Sequence, residues 1–478
     1  MPTPATGIPD ADRPLPGARG ALLLLLAINL FNYIDRQVLA AVVPDIRRAF
    51  FDGRATGGTA HLLAWCQDHL GFRPQNALIG VLSMAFMAVY MVGAPLFARL
   101  AGRHSRWAIV GAAVIAWSAA TGASGLAATF GALLLTRCFV GVGEAAYGPI
   151  AQAVLADLYP LRRRGRVLAW FNMAIPVGSA LGFVLGGFFA HRWPEAGWRW
   201  AFGVAVLPGV ALGLLALRRA RRPGAPAASP SAAGPGAAHA APGWRDCLEL
   251  FRTPSYVLCT AGMCAMTFSI GGIGFWMVDY VETFRQAGSH AAVIFGLILV
   301  AAGLGATLLG GMAGDRLSRR WPGAYFLVSG AAMLAGFPVF LLVLRPEIPF
   351  PLAWVFVFLS CFCLFFNTGP TNAILANVAR PALRPLAFGV NILLIHALGD
   401  VPSPTIIGLI ADRCGGDMNA AFRAVAVLFV FGGLCWLAGA RFLARDTARA
   451  ACPDAEDAGR HPGRFPPPGE GREEGVPR

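Results

Sequence analysis

The sequence contains no lysine; all 39 of its basic residues are arginine. Charge is scarce altogether. Only 13% of the residues are charged, about half the ~25% of a soluble globular domain. That scarcity excludes an ordinary soluble enzyme of this length, which needs far more polar surface to stay dispersed. It also excludes a disordered chain and a coiled coil, both of which are rich in charge. The 10 cysteines in 478 residues are too thinly spread for a disulfide-stapled secreted domain. HExxH, P-loop and GxSxG runs are missing, so nothing points to a membrane enzyme, a metal or a cofactor. The missing lysine itself reads as codon bias and carries no functional signal.

What is present is apolar sequence: 56% of the residues are hydrophobic. A helix crossing ~30 Å of hydrocarbon needs about 20 mainly apolar residues. Such runs fall at about 20–45, 75–98, 106–128, 130–157, 166–190 and 199–217. A second set falls at about 254–283, 291–313, 322–344, 351–378, 385–411 and 420–443. The pattern predicts an all-α polytopic membrane protein with twelve transmembrane helices, six and six. No cleavable signal peptide is expected, because the first run is too long for an h-region and carries Asn32, Asp35 and Arg36. The expected organisation is a tail at 1–19, a bundle at 20–217, a linker at 218–250, a bundle at 251–443 and a disordered tail at 444–478.

The net charge of +14 does not call for nucleic acid, because the arginines cluster between apolar runs. With the amino terminus in the cytoplasm, most of them fall inside, among them Arg99, Arg103, Arg106, Arg162, Arg163, Arg164, Arg320, Arg380 and Arg384. That bias predicts both termini on the cytoplasmic side. The long first outside loop, with Leu62, Leu63, Trp65 and Leu70, suits a short interfacial helix. Ala98 to Arg106 and Gly311 to Arg320 repeat one loop pattern at matching places in the two halves, as a duplicated unit would leave. Gly102 stands in the first where Asp315 stands in the second.

Charges inside spans are costly and each asks for a reason. In the first span Asn32, Asp35 and Arg36 share a helical face, beside Tyr33. In the fourth, Arg137 and Glu144 share a face about 10 Å apart along the axis, too far for a simple direct pair. Each therefore calls for a partner on another helix, and Asp35 and Arg36 are the obvious candidates. Gly141 and Gly143 would allow the close approach. Either a proton-coupling network or a fixed ion-pair scaffold fits that pattern. In the eleventh span His396 and Asp400 lie one turn apart beside Pro402 and Pro404. Asn367 sits in a polar break in the tenth span that suits a cavity wall. Pro176 and Gly178 in the fifth span mark a bend for gating or a packing contact. Asp315 with Arg316 and Arg319 suits a latch between helix ends. Cys66 and Cys414 would both face outside, but a bond between them is not expected.

Six plus six helices, a basic central segment and the Gly-Asp-Arg-x-x-Arg-Arg loop resemble the major facilitator superfamily. Asn32-Tyr-Ile-Asp35-Arg36, the Gly-Val-Gly-Glu-Ala run ending at Ala145, Asp157-Leu-Tyr-Pro160, Ile175-Pro176-Val-Gly178-Ser179 and His396 to Pro404 resemble the Spinster family more narrowly. The resemblance implies two six-helix bundles related by a pseudo-two-fold axis, with a central cavity and alternating access. It implies a transporter, proton-coupled or facilitative, for amphipathic lipids of the lysophospholipid or sphingoid type. By position it assigns Asp35, Arg36, Arg137 and Glu144 to coupling and Asn32, Tyr33, Tyr147, His396, Asp400 and Asn367 to the cavity. The remaining expectations are a monomer in a bacterial inner membrane, with a small-molecule or lipid substrate, protons and the bilayer as partners. A carrier of a small organic anion, such as a sugar phosphate or carboxylate, is the second reading; a receptor or channel without turnover is a third.

Overall fold

The structure, a computed structural model, describes residues 14–221, 244–286, 288, 290–380 and 383–451. Among them twelve helices are long and apolar enough to cross a membrane. The first six are Ala18–Ala41, Gln75–Leu100, Arg106–Gly125, Phe130–Leu158, Arg166–Arg192 and Gly197–Ala220. The second six are Pro254–Phe284, Ala291–Ser318, Ala324–Val343, Pro351–Val378, Arg384–Arg413 and Met418–Gly439. An even number of crossings puts the two described ends of the chain at the same end of the molecule, called here the terminal end.

The two sets pack alike. The third span lies on the sixth and the ninth on the twelfth; the second lies on the fourth and the eighth on the tenth; the first lies on the fifth and the seventh on the eleventh. Across the divide the second span meets the eleventh and the eighth meets the fifth. This is the pseudo-two-fold arrangement of two six-helix bundles. Small residues set the closest contacts, since in hydrocarbon helices associate through packing rather than water exclusion. Gly178 and Gly182 rest on the backbone of Leu30 and Ile34 in the first span, and Gly186 rests on Ala41. Large rings fill the remaining space: Trp117, Trp198, Trp276 and Trp436 are fully buried.

Several spans are interrupted where the sequence is polar or rich in glycine. The first ends at Ala41, short of its apolar run, and after Val42 a separate helix, Val43–Phe50, carries Asp45, Arg47 and Arg48. The fourth is broken between Ala145 and Tyr147, and the tenth between Phe365 and Thr368. The eleventh divides into Arg384–Ile395, a π-helical turn His396–Asp400, and Ser403–Arg413. The first outside loop does form a helix, Gly57–Leu70, with Leu62, Trp65 and Leu70 exposed. Most of the linker and residues 452–478 of the tail lie outside the described residues. The expected disorder does not begin at 444. Leu443–Ala451 is a helix, and its buried Asp446 accepts the backbone N–H of Ser255 at 2.9 Å. A carboxylate there satisfies an orphan donor in the first turn of the seventh span, which ties the segment to the bundle. Cys66 and Cys414 are free.

Candidate functional site

The first and fourth spans bring the candidate coupling residues together inside the first bundle. Gly141 rests on the backbone of Phe86 and Gly143 on that of Trp117, so the fourth span sits close enough for its polar face to meet the first. Arg36 Nε donates to Glu144 Oε2 at 2.7 Å. Glu144 is 1% exposed, while the Arg36 side chain keeps 16% of its surface. The Arg36 guanidinium also lies over the rings of Tyr33 at 5.1 Å, Phe86 at 5.3 Å and Tyr90 at 4.8 Å. Cation–π attraction of this kind grows as water is removed, so three rings and one carboxylate hold a single cation.

The other expected pair does not form as a hydrogen bond. Arg137 is fully buried between the rings of Phe86 and Phe202, at 5.4 and 5.8 Å from their centroids. Its Nε and Nη1 have no hydrogen-bond partner among the described residues. Asp35, 2% exposed, accepts from Thr121 Oγ1 at 3.5 Å, and its other oxygen is unpartnered. Glu144 Oε1 and Asn32 Nδ2 are likewise unpartnered. Buried polar atoms are nearly always satisfied. Five such orphans on Asn32, Asp35, Arg137 and Glu144 mark this as the most unusual polar cluster in the first bundle.

In the second bundle His396 Nδ1 lies 2.9 and 3.1 Å from the two Asp400 oxygens. Both side chains keep about a quarter of their surface, at 28% and 25%. Gly271 packs against Asp400 and Gly399 against Thr267, so the π-helical turn is fixed to the seventh span. Tyr33 lies on the first span, in the first bundle, and His396 and Asp400 lie on the eleventh, in the second. Tyr33 and His396 therefore stand on opposite sides of the divide.

Other sequence-selected residues are placed elsewhere. Tyr147 does not reach a cavity: it is 1% exposed, packed on Trp117 and Phe171, and donates its hydroxyl to the Leu25 carbonyl. The break at Ala146 turns its ring inward. Asn367 is also fully buried, its Nδ2 donating to the Leu364 carbonyl at 2.5 Å; its polarity serves the break in the tenth span. The helix runs unbroken through Pro176 from Leu161 to Arg192, and Gly178 is a contact with the first span. Asp315 accepts from Tyr325 at 2.9 Å within its own bundle. Arg316 and Arg319 make no ion pair with any described residue, so the expected latch is not closed here. The related first-half contact, Arg106 with Asp157, stays within the first bundle.

Sequence reasoning passed over a second buried network, formed by Arg47, Asn76, Asp279 and Asp412. Asp279 lies inside an apolar run, and the cost of a charge there was the signal that could have found it.

Twelve spans in two pseudo-symmetric bundles, with an ion pair buried between the first and fourth, define a polytopic membrane transporter. The family model of the Major Facilitator Superfamily matches residues 25–404. The rat protein spinster homolog 1 is 32% identical over 90% of this chain and 82% of its own length. The human protein spinster homolog 3 is 31% identical over 91% and 87%. The chain belongs to the major facilitator superfamily and, within it, to the Spinster family. Its fold is similar to that of a bacterial homolog of the human lysosomal transporter Spinster in an inward-facing, unoccupied conformation. The TM-score is 0.75 at 20% identity, covering 90% of this chain and 98% of the other. A D-xylose–proton symporter shares the fold at a TM-score of 0.65 and 14% identity.

Proposed function

We propose that this chain is a secondary active transporter that works by alternating access, couples substrate movement to protons, and carries an amphipathic lipid of the lysophospholipid or sphingoid type. The observation that carries the reading is the Arg36–Glu144 pair, buried between two spans and flanked by the unpartnered oxygen of Asp35 and the unpartnered nitrogens of Arg137. A proton on Glu144 cancels the charge that holds Arg36 and frees the cation for another partner. A proton on Asp35 removes its buried charge and turns its orphan oxygen into a donor. Either event alters how the first and fourth spans hold together, and a substrate that binds one arrangement better shifts the balance between them. Tyr33 on the first span and His396 and Asp400 on the eleventh are the walls proposed to hold the substrate; Asn32, 3% exposed, lies in the buried cluster behind Tyr33. The arginine bias supports a cytoplasmic terminal end; a monomer in a bacterial inner membrane is the setting proposed with it.

The lipid class rests on what the Spinster resemblance implies and on the rings around Arg36, which offer an anionic head group a cation and its chain an apolar wall. One observation favours a second reading. Arg36 retains surface and can bind a small organic anion, such as a sugar phosphate or carboxylate, in the same way. Counterflow into proteoliposomes loaded with a labelled lysophospholipid separates the two. Competition by lysolipids and not by sugar phosphates or carboxylates is expected. Competition by the small anions alone overturns the lipid assignment.

A further inference from the structure

The first bundle carries a cavity of about 320 Å³ on its outer side, at the terminal end. It lies between the start of the first span and the end of the sixth. Gly20 and Leu24 of the first span line it, with Leu215, Arg218 and Arg219 of the sixth. The sixth span packs mainly on the third and then on the first. Its Leu207, Leu214 and Leu215 are exposed, as is Leu23 of the first span. Leucines left exposed on a spanning helix face lipid tails as apolar as themselves, so the cavity opens toward the bilayer.

The two arginines of this cavity differ. Arg219 is held in place: its Nη2 donates to the Gly17 carbonyl at 2.5 Å, and its guanidinium lies 5.3 Å from the Trp107 ring. Gly20 leaves room for that guanidinium, because a Cβ there would stand 3.3 Å from Arg219 Nη1. Arg218 is exposed and makes no hydrogen bond or ion pair with any described residue. No acid stands among the lining residues. Two guanidiniums beside two leucines offer a phosphate a fork of donors and a hydrocarbon chain an apolar wall. The fold does not impose this chemistry. The cavity beside the seventh and twelfth spans, the matching pair in the second bundle, measures about 430 Å³ and has no charged residue in its lining.

We propose that the cleft between the first and sixth spans is a binding site for an anionic phospholipid of the bilayer, with Arg218 and Arg219 on its phosphate and Leu24 and Leu215 along its chain. Basic pockets between spans at a membrane surface hold anionic head groups in this way. The site faces the bilayer rather than the divide between the bundles. Its lipid is therefore a resident ligand and not the transported substrate, and the site does not depend on what that substrate is. A zwitterionic lipid brings its own ammonium to the same place, which the two arginines repel, so the site selects for net negative charge. Because Arg218 has no other described partner, it supplies the selectivity, while Arg219 is already fixed by Gly17 and Trp107.

The test is native mass spectrometry of the full chain, released from detergent that holds equal amounts of phosphatidylglycerol and phosphatidylethanolamine. The parent should retain phosphatidylglycerol over phosphatidylethanolamine by about fivefold or more, the effect of one arginine at an anionic surface. Arg218→Gln removes the exposed cation, and Leu215→Trp fills the cavity from an exposed position. Each should lower that preference by about fivefold. Arg103→Gln removes an exposed arginine of the same end that does not line the cavity, and should keep the parent's preference. A parent without preference, a preference that survives either cavity substitution, or an equal loss in Arg103→Gln overturns the assignment. Displacement of the lipid by inorganic phosphate also overturns it, because the site would then be one for a free anion.

Discussion

At the residue scale the central fact is the cost of a buried charge. Glu144 has one cation within hydrogen-bond reach, Arg36 at 2.7 Å. Taking that cation away leaves a carboxylate in an apolar setting, which costs about 3 kcal/mol or more. Arg36→Gln should therefore lower stability by about 3 kcal/mol, and adding Glu144→Gln should recover most of that loss. Thermal unfolding of the two single variants and the double variant checks this; strictly additive losses would mean the pair does not interact. A different case is Arg137, whose unpartnered nitrogens already sit between rings. Arg137→Ala should abolish transport while expression in the membrane is retained. A fall in expression alone would make the residue structural.

Asp45 carries a pH dependence of its own. Burial pushes its carboxyl up to about 6, against the opposing pull of Arg48, with which it pairs at 2.5 Å. The native chain therefore holds a proton between about pH 4 and 6 that an unfolded chain has released. Stability from this group is greatest in acid and falls as the pH rises through that window. Asp45→Asn should match the parent below pH 4 and exceed it above pH 6 by at most about 3 kcal/mol, at 1.36 kcal/mol per unit. Unfolding measured at pH 4 and pH 7.5 decides it; a variant that gains nothing at the higher pH contradicts the sign.

At the scale of elements, the fifth span carries a signal with two readings. Pro176, Gly178 and the glycines beyond suit either a bend or tight packing. The structure shows a continuous helix whose Gly178, Gly182 and Gly186, each four apart, form a stripe against the first span. A Cβ at Gly182 would stand 2.6 Å from the Ile34 carbonyl oxygen, a backbone atom that cannot swing aside. Gly182→Ala should therefore cost about 1–3 kcal/mol, the usual range for overpacking, measurable as a lower Tm in detergent. An unchanged Tm would show that the first span can shift. Because the first span carries Asp35 and Arg36, this stripe also positions the buried charged cluster.

The breaks in the tenth and eleventh spans were legible as polar or proline-bearing runs, while the break in the fourth was not, and in none was the direction legible. A helix turned by an interruption can send a tyrosine inward, as at Tyr147, or keep an amide for its own backbone, as at Asn367. Local sequence does not say which, because the answer depends on neighbouring spans distant along the chain. His396 and Asp400, one turn apart, kept their predicted neighbourhood because the signal was local. Arg36 and Glu144 met across helices because two isolated charges in hydrocarbon have few alternatives.

At the scale of the whole molecule, the bilayer made the spans readable. Every backbone polar group must be satisfied within a helix, so apolar length alone found all twelve, and the matching loops pointed to two related halves. The relation between those halves was less readable. Arg47 stood at the edge of an apolar run, Asn76 at the start of the next and Asp412 just beyond another, so each read as a helix end. Their meeting depends on how two bundles lean on each other, a long-range property with no periodic signature. The central cluster and the network around Arg47 together describe a molecule whose bundles are joined by charge, with a second set of charges buried inside one bundle where a proton can change their pairing.

That account is tested most directly by uptake of a labelled lysophospholipid into proteoliposomes under an imposed pH gradient, for the parent and Asp35→Asn side by side. The parent should accumulate substrate above equilibrium. The variant should exchange substrate across the membrane without accumulating it, because a neutral amide cannot take up and release the proton. Proton-driven accumulation by Asp35→Asn at the parent's level would contradict the account.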